Sequence, residues 1–172
     1  MRRALICALL VHACVSARGA RAATPAPTHW RVVSVHDGDT VLCIDDDKSQ
    51  HKVRLFGIDA PEIGQAFGTK SRDKLAEIVK GRTVEVEAHG EDRYGRTLAR
   101  LEAAGKDVNR EMVKAGLAWH YARYSDDSTL AAAQRDARSA KRGLWADKKP
   151  VPPWEWRATE RDRKKVGSGT AR

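Results

Sequence analysis

Three short segments of this 172-residue chain hold residue types suited to work on a phosphodiester. His36-Asp37-Gly38-Asp39-Thr40 sets two carboxylates on either side of a glycine. Val53-Arg54-Leu55-Phe56-Gly57-Ile58-Asp59-Ala60-Pro61-Glu62 follows an arginine with two acids that bracket Ala60-Pro61. Asp92-Arg93-Tyr94-Gly95-Arg96 brings two arginines and a tyrosine into one turn. Cleaving a phosphodiester takes a cation to offset the non-bridging oxygens, a base for the attacking water, and donors matched to the charge that grows in the transition state. Each segment also has a plain structural reading. Asp-Gly is common in hairpin turns. Surface acids often cap a strand end, with an arginine paired to one of them. A turn with two arginines can be an ordinary solvated hairpin.

The elements that must position these residues follow from pattern. Residues 30–35 and 40–44 read as two strands joined at Asp37-Gly38, and residues 51–58 as a third. Alternation along the third puts Arg54, Phe56 and Ile58 on one face and Val53, Leu55 and Gly57 on the other. An arginine sharing a face with Phe56 and Ile58 is costly unless it is paired or meets an anion. Pro61 fixes the backbone and biases Ala60 toward an extended conformation, which can aim the Ala60 carbonyl at a cation. Residues 70–79 read as a helix, with Ser71, Leu75 and Ile78 on one face. Val84, Val86 and Ala88 alternate with Glu85 and Glu87 in a fourth strand, and residues 97–102 form a fifth. Residues 108–115 and 128–142 read as helices stopped by Gly116 and Gly143, with Asp126, Asp127 and Ser128 starting the second. The expected fold is α+β, mainly β: a small five-stranded Greek-key barrel with three helices packed on it.

Taken together, the segments and their spacing resemble the staphylococcal nuclease (thermonuclease) family. Gly95-Arg96-Thr97-Leu98-Ala99, Gly105-Lys106-Asp107-Val108-Asn109 and Ala115-Gly116-Leu117-Ala118 add to the match, which covers residues 31–145. The resemblance implies an OB-fold barrel and a Ca²⁺-dependent endonuclease acting on DNA and/or RNA. It implies calcium ligands at Asp39, Asp59 and the backbone carbonyl of Ala60, with waters completing the set. The family often has threonine where this chain has Ala60. Because the ligand there is the main-chain carbonyl, the change is expected to be tolerated, with a slight loosening of the site. Asp37 resembles an outer acid that holds a calcium-bound water.

The resemblance also implies catalytic roles for Arg54, Arg96 and Glu62. The two guanidinium forks would match phosphate oxygens, and Glu62 would be the base on the attacking water. Water would attack in line with a leaving 5′-oxygen and give 3′-phosphate ends. Tyr94 resembles a substrate-pocket tyrosine, and Tyr124 and Tyr121 fall where other pocket tyrosines are found.

Composition bounds the rest. The formal net charge is +9, which suggests an anionic partner. Residues 1–22 carry four arginines and no acid, so without them the charge is +5. Residues 157–172 carry six bases and two acids, so the middle of the chain is close to neutral and charge alone is poor evidence for nucleic acid. Arg2-Arg3, an apolar run over residues 4–11 and Ala20-Arg21-Ala22 read as a secretory signal released before Ala23. The run is too short to span a bilayer, and His12 fits poorly with a lipid anchor at Cys14. Export to the periplasm or the medium is therefore expected. Cys7 and Cys14 leave with the signal, and Cys43 reads as a small core hydrophobe.

Residues 23–29 read as a linker, 30–149 as the domain, and 150–172 as a Pro/Trp segment passing into a basic, partly disordered tail. Trp145, Trp154 and Trp156 are expected to pack against the barrel. His36, His51, His89 and His120 lack metal-ligand spacing and read as surface or edge residues. A monomer without a stable protein partner or a transmembrane segment is expected. Two other functions fit the same residues less well: a non-catalytic OB-fold nucleic-acid-binding module, and a phosphodiesterase on a smaller ester. The first needs stacking aromatics and a basic groove, not a carboxylate cluster with two arginines.

Overall fold

Alternating valines and a run of tight turns build a barrel whose inner face is aliphatic. The computed structural model describes residues 28–169, with side chains to residue 165. The residues read as a secretory signal, Cys7 and Cys14 among them, and the Thr24-Pro25-Ala26-Pro27 segment lie outside the described residues. The strands are β1 Thr28–Val35, β2 Thr40–Ile44, β3 Gln50–Leu55, β4 Ile58–Asp59, β5 Thr83–Glu91, β6 Thr97–Ala103, β7 Lys106–Asp107 and β8 Trp119–His120. The helices are α1 Gly68–Val79, α2 Val108–Lys114, α3 Ser128–Ser139 and α4 Pro153–Gly169, with a 3₁₀ turn at Gly143–Ala146.

β1 pairs antiparallel with β2 through its second half and with β5 through its first, and its register shifts between Val32 and Ser34. A bulge of this kind bends a strand and lets it serve two neighbours around a curve. β2 pairs with β3, and β5 with β6, both antiparallel. The ring closes where β3 runs parallel to β6, Val53 beside Thr97 and Leu55 beside Ala99. This is the five-stranded OB-fold barrel expected from the sequence. Val32, Val41, Cys43, Val53, Leu55, Val84 and Leu101 fill it, and Leu75, Val79, Met112, Val113 and Leu130 cover it from the helices. Cys43 is wholly buried, and burial pushes its thiol up to about 12, so it behaves as the small hydrophobe expected.

Asn109 ties the closure together. It is fully buried at the start of α2. Its amide nitrogen donates to the Phe56 carbonyl at 2.8 Å and to the Ala99 carbonyl at 3.3 Å, while its oxygen accepts from the Leu101 N–H at 3.2 Å. One side chain thereby satisfies backbone groups from the end of β3 and from β6. α3 is held by its cap: Asp127 accepts from the N–H groups of Thr129 and Leu130, and also pairs with Arg100 of β6.

Four expectations need correction. Alternation along β3 stops at Gly57, whose φ of +76° turns the chain, so Ile58 falls in the core and does not share a face with Arg54. β1 begins at Thr28, inside the segment read as linker. His120 is buried, its Nε2 2.9 Å from the Ser125 carbonyl oxygen. The largest difference is α4, a fourth helix where the sequence suggested a tail. Pro153 stands at its first position, where a fixed φ and a missing N–H cost nothing. Trp154 packs with Trp119, Trp145, Leu144, Ala137 and Phe67 in a second core, in keeping with the packing expected of the tryptophans.

Asn109→Ala removes a donor–acceptor pair that three buried backbone groups use. It should destabilise the fold by about 2–3 kcal/mol, since each buried group left unpaired costs about 1–3 kcal/mol. Urea denaturation of the purified variant checks this, and a loss under half a kcal/mol would remove Asn109 from the account of barrel closure.

Candidate active site

Arg54 lies on the outer face of β3, between the inward-pointing Val53 and Leu55. Its guanidinium bridges two buried carboxylates. Nη1 donates to Asp39 Oδ1 at 2.5 Å and Nη2 to Asp59 Oδ1 at 2.7 Å. Burial works against the charge, but Asp39 and Asp59 outweigh it and raise the Arg54 pKa, so it stays protonated. Asp59 is 0% exposed and Asp39 3%. Burial drives the Asp59 pKa up, and the arginines oppose that rise without cancelling it.

The backbone places both acids. Gly38 lets the 37–39 loop press against α1: a Cβ there would come within 1.9 Å of Ser71 Oγ and 2.8 Å of the Ala60 Cβ. The Asp39 carbonyl accepts from Leu55 N–H at 2.8 Å, and Asp39 Oδ2 accepts from Ala60 N–H at 2.9 Å. The loop of Asp39 is thus tied directly to the strand end that carries Asp59 and Ala60. Asp37 accepts from the Asp39 N–H at 3.0 Å. Its pKa is pushed up to about 6, first by burial and then by the Asp39 charge. A carboxyl held that high has lost water and faces a like charge, with no cation of its own to offset either.

Oxygen donors in this arrangement suit a hard divalent cation: two buried carboxylates and the adjoining Ala60 carbonyl. Among the described residues, no three His, Cys, Asp or Glu side chains converge as a ready cage, so such an ion would rely on the carbonyl and on waters.

Glu62 joins the cluster through a residue that sequence reasoning passed over. Arg157 of α4 donates from Nη2 to Asp59 Oδ2 at 2.7 Å, and from Nη1 to Asp59 Oδ1 at 3.1 Å and Glu62 Oε1 at 2.8 Å. These carboxylates hold Arg157 protonated against its burial. The sequence signal for it was weak: an arginine directly after Pro-Pro-Trp-Glu-Trp, in a run that otherwise reads as solvated charge.

Arg96 stands apart. It is bound to Asp92 within its own turn, by Nε–H to Oδ2 at 2.7 Å and by its backbone N–H to Oδ1 at 3.1 Å. Those bonds hold the Asp92 pKa below the usual carboxylate range, against the effect of burial. Arg96 lies in the turn just before β6, two residues ahead of Leu98, the partner of Arg54 in the β3–β6 register. Among the described residues, no hydrogen bond or ion pair links it to Asp39, Asp59 or Glu62.

The tyrosines divide. Tyr94 is 68% exposed at the tip of the β5–β6 turn, with the Arg93 guanidinium 4.9 Å from its ring centre. Tyr121 lies beside the cluster: burial and the Asp59 charge raise its hydroxyl pKa. Its ring stacks on Trp154 at 5.0 Å and meets Tyr124 edge-on at 4.8 Å. Tyr124 is 59% exposed, so the trio passes from packed to open.

A family model described as staphylococcal nuclease homologue matches residues 52–147. An uncharacterized endonuclease of Escherichia coli O157:H7 is 48% identical over 133 residues, covering 77% of this chain and 86% of that protein. An uncharacterized endonuclease of Haemophilus influenzae is 45% identical, covering 76% and 74%. The staphylococcal-like nuclease CAN1 of Arabidopsis thaliana is 42% identical over 110 residues, covering 64% of this chain and 34% of its own length.

The raised pKa of Asp37 has a testable sign. Its folded pKa of about 6 lies above the ordinary 3.8, so the folded state holds the proton more tightly than the unfolded chain. Stability falls as pH rises from about 4 through about 6, and above that the ionised carboxyl costs up to about 3 kcal/mol. Asp37→Asn keeps the acceptor for Asp39 N–H and removes the charge. In chelator it should raise the urea midpoint at pH 7.5 and leave it little changed at pH 4; equal shifts at both values would refute the raised pKa.

Proposed function

The chain belongs to the staphylococcal nuclease family, and from that premise we propose that it is an exported, Ca²⁺-dependent endonuclease acting on DNA and/or RNA. The observation that carries this reading is Arg54 held between Asp39 and Asp59, with Glu62 joined to Asp59 through a shared arginine. A binding module has no use for five charged groups so placed. Calcium would be held by Asp39, Asp59 and the Ala60 carbonyl, and would supply positive charge at a non-bridging phosphate oxygen.

The chain's own residues do the rest. In the free site Arg54 already pairs with both acids, and its fork can turn to phosphate oxygens when substrate brings a new anion. Arg96, two residues ahead of the Leu98 that pairs with Arg54, supplies a second guanidinium, released from Asp92 as it engages phosphate. Glu62 accepts the proton from water as the water oxygen bonds to phosphorus. The P–O5′ bond breaks on the opposite side, leaving a 3′-phosphate and a 5′-oxygen that takes up a proton from solvent. Tyr121 and Tyr124 offer ring faces for a base beside the cleaved bond, and Tyr94 a more remote one.

Export rests on Arg2-Arg3, the apolar residues 4–11 and Ala20-Arg21-Ala22. No helix among the described residues is long and apolar enough to cross a membrane. Expression with residues 1–22 in place should yield a secreted product whose intact mass begins at Ala23; a product retaining residue 1 would overturn export by cleavage.

The catalytic reading is checked with heat-denatured DNA and with RNA, in millimolar Ca²⁺ and in excess chelator. Cutting should require the cation. Arg54→Ala and Glu62→Ala should each slow it by about 10²–10³-fold, the usual cost of losing one transition-state group. Folded protein that binds either polymer with no Ca²⁺-stimulated cutting would overturn the proposal.

A further inference from the structure

Glu62 sits in an irregular loop, residues 61–67, between the barrel and α1, where a carboxylate has little to hold it. Within the loop, Glu62 N–H donates to Gln65 Oε1 at 3.3 Å, and the Glu62 carbonyl accepts from Gln65 N–H at 2.8 Å. These bonds fix the backbone and leave the carboxylate free to rotate. Its own oxygen has one side-chain donor among the described residues, Arg157.

The segment around Arg157 grips the same loop at three places. Gln65 Nε2 donates to the Val151 carbonyl at 2.7 Å. The Trp156 ring lies against Gly64, where an added Cβ would stand 3.6 Å from it. Arg157 pairs with Glu62 and holds Asp59 at the same time. On the other side of α4, Trp154 is fixed by Trp119 and Tyr121. A plug that leaves when the enzyme works would have to break all of these together. A brace uses all of them.

We propose that Arg157 is a positioning residue for the reaction: residues 150–157 brace the Glu62 loop, and the Arg157 fork holds the Glu62 carboxylate in fixed register with Asp59. This rests on Glu62 acting as the base. A guanidinium suits the task because its planar fork reaches two carboxylates at once, which an ammonium cannot do with the same geometry.

The experiment is a double-mutant cycle between Arg157→Ala and Glu62→Ala, on denatured DNA with millimolar Ca²⁺, with far-UV circular dichroism to confirm folding. In the otherwise unaltered chain, Arg157→Ala should lower kcat about tenfold to a hundredfold, the usual range for a residue that orients a working ligand, with KM little changed. In the Glu62→Ala chain the same substitution should cost nothing further. Arg157→Lys should fold and recover part of kcat, and it replaces Arg157→Ala in the cycle if the alanine variant does not fold. Unchanged or faster cutting by the Arg157 variant would show a plug and overturn the brace. An undiminished loss in the Glu62→Ala chain would show that Arg157 acts through Asp59 or on substrate and not through Glu62, and would overturn it too. If Glu62→Ala alone cuts like the parent chain, the assignment of the base fails, and the brace fails with it for that separate reason.

Discussion

The Arg54 guanidinium cannot be taken out of water alone. Desolvation works against its charge, and only Asp39 and Asp59 on either side make its burial tolerable. The dependence is mutual, because Asp59 is wholly enclosed and Asp39 nearly so. Removing one member leaves a buried charge unmatched, which costs far more than the set contributes when whole. The barrel is arranged around this constraint. Closing β3 onto β6 gives Arg54 its platform, Gly38 lets the Asp39 loop approach, and the turn at Gly57 swings Asp59 back beneath the guanidinium.

Such a site is stiff where charges must be placed and open where a polymer must enter. Asp39, Arg54 and Asp59 are locked by short bonds to one another and to the backbone. Arg96 and Tyr94 ride on a turn held chiefly by Asp92, with Tyr94 well out in solvent. The aromatic trio of Trp154, Tyr121 and Tyr124 leads from core to surface along one edge of the site. This division suits a substrate recognised by its backbone phosphates and by unstacked bases, whatever their order.

How much of this was legible depended on sequence distance. Asp39, Arg54, Asp59 and Glu62 fall in two short motifs that each also read as plain turns or capped strand ends and point to a site only when taken together, and the barrel strands announced themselves through alternating valines. The turn at Gly57 was legible in principle, since glycine in a strand marks a break, but alternation was followed through it and Ile58 was put on the wrong face. His120 looked like an edge residue because its burial comes from a loop, the one that brings up the Ser125 carbonyl. α4 was missed because its residues are mostly charged and lack a broad apolar face. Its stability comes from Trp154 and Trp156 docking on distant surfaces, which no local pattern encodes. Arg157 was hidden for the same reason: its partners lie 98 and 95 residues earlier.

That last separation has a consequence in time. A chain made from its N-terminus can pair β3 with β6 and set Asp39, Arg54 and Asp59 in place well before residue 157 exists. Arg157 is therefore the last residue of the site to be made. A chain interrupted after the barrel but before α4 would carry the same carboxylates without it, so the order of translation keeps fold and finished site apart.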